Sequence, residues 1–145
     1  NALADSLPGD TIVLGTGHHW EGNLELCHPV KLLSDVDENS RCVVELTGVF
    51  SLKPGAKGSV FFGFTVRRPR KIGEALPCVR LEGSVLKLFN CVVSNEGAEG
   101  AAVVDARDST LFLCHSLLKK GKFGVDLLNS SIFTLFSKVN IKFLN

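Results

Sequence analysis

Four charged residues recur at one position of a repeated apolar strand pattern and are the first candidates for chemistry. They are Glu45, Arg80, Asp105 and Asp126. Strands stacked about 4.8 Å apart would place Arg80, Asp105 and Asp126 side by side. Calcium takes six or more oxygen ligands, and lyase chemistry needs a base near the substrate's α-proton. Two carboxylates and an arginine could begin such a site, but the favoured interpretation is a surface charge ladder in which Arg80 offsets Glu45 and Asp105.

A second set of charged residues lies in loops between the repeats. Basic clusters in residues 67–71 and 119–122 flank a loop, 94–100, that carries Glu96 and Glu99. The repeat predicts that both clusters lie on one side of the molecule, two strand spacings or about 10 Å apart. Alternating signs fit simple attraction between exposed loops; the functional hypothesis is a basic corner that binds an acidic or phosphorylated segment. The predicted partner-binding residues are Arg67, Arg68, Arg70, Lys71, Lys119, Lys120 and Lys122.

His18, His19 and Trp20 form a third candidate, for a metal or sugar contact. Adjacent side chains in extended backbone point apart, so both histidines cannot easily bind one ion. Packing of Trp20 over its turn is therefore favoured, and neither a metal site nor a cofactor is predicted. The sequence contains no P-loop, nucleophile elbow, dinucleotide fingerprint or zinc spacing.

The elements that must position these residues are short strands in a repeat. Four apolar segments begin at Ser59, Ser84, Ser109 and Ser131, at successive spacings of 25, 25 and 22 residues. Each is flanked by two further apolar runs, and a unit of three short strands cannot bury its own apolar face. Units therefore stack around a shared core. The pattern predicts an all-β fold, a right-handed single-stranded parallel β-helix of about five rungs.

The predicted elements form one domain, residues 1–145, which is expected to be a fragment of a longer chain. They are a capping helix over residues 1–7 and rungs over 11–33, 42–66, 79–93, 102–118 and 125–141. Alternation within the middle strands predicts which side chains face the core. The inward set is Leu86, Leu88, Leu111, Leu113, Phe133 and Leu135, and the outward set is Lys87, Phe112 and Thr134.

Composition limits the partners and the cellular setting. A formal net charge of +1 gives no electrostatic case for nucleic acid, and no apolar run is long enough to span a bilayer. The five cysteines are an odd number without a C-x-x-C pair, and most lie in apolar runs. Reduced thiols and a cytoplasmic or nuclear location are therefore expected.

Three segments carry a resemblance to known proteins: residues 8–12 (PGDTI), 20–22 (WEG) and 29–32 (PVKL). They resemble the first rung of right-handed parallel β-helices of the pectin-lyase-like superfamily. Cysteine-containing strands such as residues 88–93 are most similar to the β-helix domains of F-box proteins and of the Shc-binding protein family, which lack a catalytic set.

That resemblance implies a non-catalytic protein-recognition module, for example the substrate- or partner-binding part of an intracellular adaptor such as an F-box ubiquitin-ligase subunit. The expected partner is a protein or an acidic peptide segment. The wider superfamily implies the alternative, a polysaccharide-binding or polysaccharide-cleaving domain. Its catalytic residues would be Arg80, Asp105 and Asp126.

Overall fold

The computed structural model describes residues 2–34, 42–69, 75–96 and 101–144, the last four for their backbone. These residues form strands, numbered here in chain order, in three parallel sheets. Sheet A contains β1 (Thr11–Leu14), β4 (Lys31–Ser34), β7 (Ser59–Phe62), β10 (Val85–Phe89), β13 (Thr110–Cys114) and β16 (Ser131–Leu135). Sheet B contains β2 (Gly17–Glu21), β5 (Cys42–Leu46), β8 (Thr65–Arg68), β11 (Val92–Asn95) and β14 (Leu117–Lys119). Sheet C contains β3 (Leu24–Leu26), β6 (Phe50–Leu52), β9 (Val79–Glu82), β12 (Val104–Arg107), β15 (Val125–Leu128) and β17 (Ile141–Leu144).

The strand pairing defines a parallel β-solenoid. Neighbours in each sheet are three strands apart along the chain over most of the fold, as in the pairing of β10 with β13. Four middle strands of sheet A, and four of sheet C, have a hydrogen-bonded neighbour on each side, and the coil has about four turns where the sequence predicted about five rungs. The predicted all-β parallel solenoid is confirmed.

The core lies between the three sheets and is built from alternate residues of each strand. In β10 and β13 the inward side chains are Leu86, Leu88, Leu111 and Leu113, and all four are buried as predicted. Phe61 lies between two further rings, with centroids 5.2 Å from Phe50 and 5.4 Å from Phe64. Period-two alternation thus accounts for burial in the middle of the solenoid.

The corners between sheets turn at single residues with left-handed backbone. These positions favour glycine or a short polar side chain. At the corner from sheet C to sheet A they are Gly83, Asp108 and Asn129, and at the corner from sheet A to sheet B they are Gly63, Asn90, His115 and Phe136.

A buried serine follows the left-handed residue at several corners and bonds to the turn before it. Ser109 Oγ accepts a hydrogen bond of 3.0 Å from Ser84 N–H, and Ser130 Oγ accepts one of the same length from Ser109 N–H. At the other corner, Ser116 Oγ accepts from Cys91 N–H at 3.2 Å. These bonds satisfy backbone groups that lie outside the sheet ladders.

The repeat predicts that the serines at the start of the four apolar segments occupy equivalent turns of the coil. This prediction is correct only for Ser84 and Ser109. Ser130, and not Ser131, occupies the next equivalent position, so the last spacing is one residue shorter than the sequence pattern indicated. Ser59 pairs with Leu86, two residues away from the expected match. A short 3-10 helix, Pro54–Ala56, precedes Ser59 and changes the route by which the chain reaches sheet A.

The one-residue difference at Ser130 reverses the predicted orientation of β16. Phe133 and Leu135 point outward and are each 55% exposed, whereas Ile132 packs against the core. Thr134, predicted to face outward, is exposed, although its register partner is the inward Leu113. A register shift of one residue moves every side chain of a strand to the opposite face.

The predicted helix over residues 1–7 is wrong for the part described, residues 2–7. Residues 2–5 form turns, and Ser6 donates from both its N–H and its Oγ to the carbonyl of Leu3. A segment this short forms too few hydrogen bonds to offset the free-energy cost of helix nucleation. The serine hydroxyl also competes for a carbonyl that would accept a backbone hydrogen bond in a helix. The described residues include no helix long and apolar enough to cross a membrane.

The boundaries of the first two predicted rungs also need correction. The sequence predicts a polar turn over residues 15–22, but residues 17–21 form β2, which pairs along its whole length with β5. Residues 31–34 pair with Thr11–Leu14 and therefore belong to the following turn of the coil. Each of these two predicted rungs contains four strands, which is more than one turn.

Candidate partner-binding face

The outward surfaces of the three sheets differ in chemistry. Sheet C carries a charged column, and sheet B carries a mixture of aliphatic, aromatic and charged side chains. Sheet A is the most apolar of the three. We call two neighbouring columns of its outward side chains the aromatic face: Lys31, Val60, Lys87, Phe112 and Phe133, and beside them Leu33, Phe62, Phe89, Cys114 and Leu135. Thr11 and Val13 continue these columns, and Val85, Thr110 and Ser131 form a third column.

The rings of the aromatic face stack on one another along the columns. The ring centroids of Phe112 and Phe133 lie 4.9 Å apart with an interplanar angle of 13°. Phe62 and Phe89 have centroids 6.4 Å apart, and the Lys87 ammonium lies 5.5 Å from the centre of the Phe112 ring. Phe62, Phe133 and Leu135 each remain more than two-fifths exposed. The face is therefore an ordered and solvent-exposed apolar surface.

A cavity of about 290 Å³ lies in the aromatic face where one column has a short side chain. Cys114 is the register partner of Phe89 on one side and of Leu135 on the other. The rings of Phe112 and Phe133 form the adjacent wall. We call this cavity the Cys114 notch; its volume is sufficient for one large apolar side chain.

A second cavity of about 330 Å³ opens at the first turn of the coil. Its walls are inward side chains of that turn, including Ile12, Leu14 and the partly buried His19 and Glu21. Its floor is the buried core, so this cavity is the end of the core of the solenoid. Among the described residues that line this cavity, His19 and Glu21 are the titratable ones.

The charged column of sheet C matches the predicted ladder in part. Asp105 pairs in register with Arg80 on one side and with Asp126 on the other. Arg107 Nε lies 2.9 Å from Asp105 Oδ1, and Arg80 Nε lies 4.0 Å from Asp105 Oδ2. Asp126 Oδ1 is buried and has no hydrogen-bond partner among the described residues. Two arginines thus offset Asp105, as expected of a charge ladder.

Glu45 does not belong to this ladder, because it lies in β5 of sheet B. Ser51 occupies the register position beside Arg80 instead. Glu45 is 1% exposed, and its Oε1 accepts from Arg67 Nη2 and lies 3.2 Å from His18 Nδ1. The sequence pattern misplaced Glu45 because residues 42–46 and 50–52 are both strands and only the second pairs with β9.

The two histidines of the His18-His19-Trp20 segment lie on opposite faces of β2. His18 faces Glu45, whereas His19 Nε2 lies 2.8 Å from the carbonyl of Gly15. Trp20 is exposed and lies in register with Glu45. Among the described residues, no group of three His, Cys, Asp or Glu side chains could hold a metal ion.

The spacing predicted for the basic corner is supported by the strand register. Arg67 and Lys119 both pair with Ser94, so they lie two strands apart on one face of sheet B. That separation corresponds to about 10 Å.

Two charges of the basic corner are paired with carboxylates. Arg67 pairs with Glu45, and Lys120 Nζ lies 3.3 Å from Glu96 Oε1. The ammonium of Lys122 lies 5.7 Å from the centre of the neighbouring phenylalanine ring. Arg70 and Lys71 lie outside the described residues.

Arg68 points inward and is not accessible to a partner. Its side chain is 1% exposed, and its Nε donates to the carbonyl of Gly48 at 3.2 Å. Its Nη1 donates to the carbonyl of Leu76 at 3.4 Å, and Asn95 Nδ2 donates to the same carbonyl at 2.9 Å. Arg68 therefore holds backbone segments together beneath the surface, and the prediction that it binds a partner is not supported.

None of the five cysteines forms a disulfide in the structure. We expect an alkylating reagent to modify Cys27 well before Cys78 in the folded protein. Cys27 is exposed, and its hydrogen bond to the Glu25 carboxylate raises its pKa, so its labelling accelerates as the pH rises. Burial raises the pKa of Cys78 to about 12 and denies the reagent access.

Mass spectrometry after timed alkylation measures the order of labelling. Alkylation of the unfolded protein without reductant should add five labels, since all thiols are predicted to be reduced. Early labelling of Cys78, or fewer than five labels, would contradict these expectations.

Comparisons with protein-family models, curated proteins and solved structures each found no match to this chain. The class of the protein, a parallel β-solenoid, therefore rests on its strand pairing.

The aromatic face is the feature that sequence reasoning missed. The alternation that identified Leu86 and Leu88 as inward also leaves Phe89 outward, and the same reasoning identified Phe112 as outward. Sequence alternation did not reveal the whole aromatic face, because the same pattern placed Phe133 in the core. Phe62 could be placed beside Phe89 only once the strand register was known.

Proposed function

We propose that this chain is a non-catalytic protein-recognition module that binds its partner through the aromatic face. The observation that carries the proposal is the exposed apolar surface of sheet A, with Phe62, Phe133 and Leu135 all exposed. Contiguous exposed apolar surface on a folded domain marks interaction sites, and aromatic side chains are enriched at the centres of protein interfaces.

The ring geometry favours a protein partner over a carbohydrate. A sugar stacks on the flat face of an aromatic ring, but here Phe112 and Phe133 cover each other's faces at 4.9 Å. The exposed groups are phenylalanine rings and an aliphatic side chain, which suit apolar side chains of a partner. Beside the rings, the two columns contain few groups that could bind sugar hydroxyls, namely the ammonium groups of Lys31 and Lys87.

The proposed setting is an intracellular adaptor, in which this module would hold the substrate or partner. Two observations support it: the resemblance of residues 88–93 to the β-helix strands of F-box and Shc-binding proteins, and five free cysteines, which suit a reducing compartment. The polysaccharide-cleaving alternative would depend on Asp105 and Asp126, and Asp105 is already paired with Arg107.

A peptide-display selection on the immobilised protein tests the proposal. Peptides that bind the wild-type protein are expected to lose about tenfold or more in affinity for Phe62→Ser and Phe133→Ser variants. Leu7→Ser is the matched control, because Leu7 is an exposed apolar residue outside sheet A. Selected peptides that bind all three variants equally, with circular dichroism unchanged, would refute the proposed surface.

A further inference from the structure

We propose that the segment bound by the aromatic face is an acidic peptide with a large apolar anchor. The anchor enters the Cys114 notch, and a neighbouring carboxylate of the peptide pairs with Lys87. This inference rests on the proposed function and specifies the chemistry of the partner.

The first argument is the shape of the Cys114 notch. Phe89 and Leu135 stand on either side of the shorter Cys114 in one column, and the stacked rings of Phe112 and Phe133 close the adjacent side. The cavity of about 290 Å³ lies among these side chains. A leucine or phenylalanine of a partner would fill a space whose lining is mainly apolar, with Lys87 and Thr134 as its polar residues, and a mainly apolar pocket is the usual arrangement at an interface hot spot.

The second argument is charge. Among the outward side chains of the described strands of sheet A, the charged ones are Lys31 and Lys87, and both are cationic. Lys87 lies over the Phe112 ring, and no carboxylate of the described residues pairs with it. A carboxylate placed beside the notch would therefore meet an ammonium group that has no anionic partner, next to apolar surface that weakens screening by water.

The third argument is area, which favours a segment over a second copy of the chain. Six strands of four or five residues give a face of roughly 25 by 15 Å, so a symmetric dimer would bury only about 800 Å² in total. Stable interfaces bury about 1,200 Å² or more. A dimer would also bring Lys31 and Lys87 of two copies to the same interface, whereas an acidic segment complements these charges.

The test uses three pools of short fluorescent peptides with the same spaced leucine and phenylalanine positions. Between these positions the first pool carries Asp and Glu, the second carries Ser and Gly, and the third carries Lys. Fluorescence anisotropy measures their binding to the wild-type protein at low and high salt. We expect the acidic pool to bind about tenfold or more tightly than the lysine pool, and this difference should shrink as salt rises.

Two pairs of variants locate the binding. Lys87→Glu should reverse the order of the acidic and lysine pools, whereas Lys138→Glu, on the sheet B side of the coil, should not. Cys114→Phe fills the notch and should weaken the binding of every pool, whereas Cys27→Phe, at an exposed cysteine outside sheet A, should leave binding unchanged. Thermal unfolding monitored by circular dichroism checks that each variant folds.

The outcomes separate this inference from the proposed function. If Cys114→Phe weakens binding but the wild-type protein shows no preference among the pools, the inference of an acidic partner is refuted. The aromatic face would still stand as the binding surface. Binding unaffected by both Cys114→Phe and Phe133→Ser would overturn both proposals.

Discussion

Replacement of Leu111 by alanine is expected to lower the free energy of unfolding by about 2–5 kcal/mol. Leu111 is completely buried in β13, between the register partners Leu86 and Ile132 of the adjacent turns. The substitution removes apolar contacts on both sides and leaves a cavity that two hydrogen-bonded neighbours cannot close. In a solenoid, each turn is stabilised mainly by the turns beside it, so a defect in a middle turn weakens two interfaces.

Urea unfolding monitored by circular dichroism measures this loss. Lys87→Ala is the matched control on the neighbouring strand, because that side chain is exposed and its contact with the Phe112 ring is worth about 1 kcal/mol or less. A loss of stability for Leu111→Ala no larger than that for the control would show that β13 does not present Leu111 to the core.

Replacement of Arg68 by alanine is expected to lower the free energy of unfolding by about 2–4 kcal/mol, without a direct effect on partner binding. The buried guanidinium donates to the carbonyls of Gly48 and Leu76. In the alanine variant both carbonyls lose a charge-assisted hydrogen bond inside the protein. Asn95 still donates a hydrogen bond to the carbonyl of Leu76 in this variant, so the loss of a hydrogen bond affects the carbonyl of Gly48 more.

Lys119→Ala is the control for this experiment, because Lys119 is exposed at the end of β14 and should be nearly neutral for stability. Urea unfolding and the peptide assay are measured on the same preparations. If Arg68→Ala kept wild-type stability but lost peptide binding, the account of Arg68 as an interior residue would be wrong, and the basic corner would become the binding site.

Sequence periodicity alone determined the architecture and the middle of the core. Leu86, Leu88, Leu111 and Leu113 are buried because strands of alternating polarity cannot shield their apolar sides except by stacking. Alternation also identified Phe112 as outward. The presence of adjacent Arg80, Asp105 and Asp126 followed from the same repeat, because parallel stacking in register places equivalent residues side by side.

Only the tertiary structure decided how each turn aligns with the next. Register depends on hydrogen bonds between residues more than twenty positions apart, and a serine doublet such as Ser130-Ser131 offers two alignments that differ by one residue. The alignment through Ser130 turns Phe133 and Leu135 outward and so completes the aromatic face. The interior position of Arg68 has the same origin, since the carbonyls that accept its hydrogen bonds come from separate segments brought together by the coil. Local pattern specifies that strands stack, whereas the choice of register, and with it the exposed surface, is made by contacts across turns.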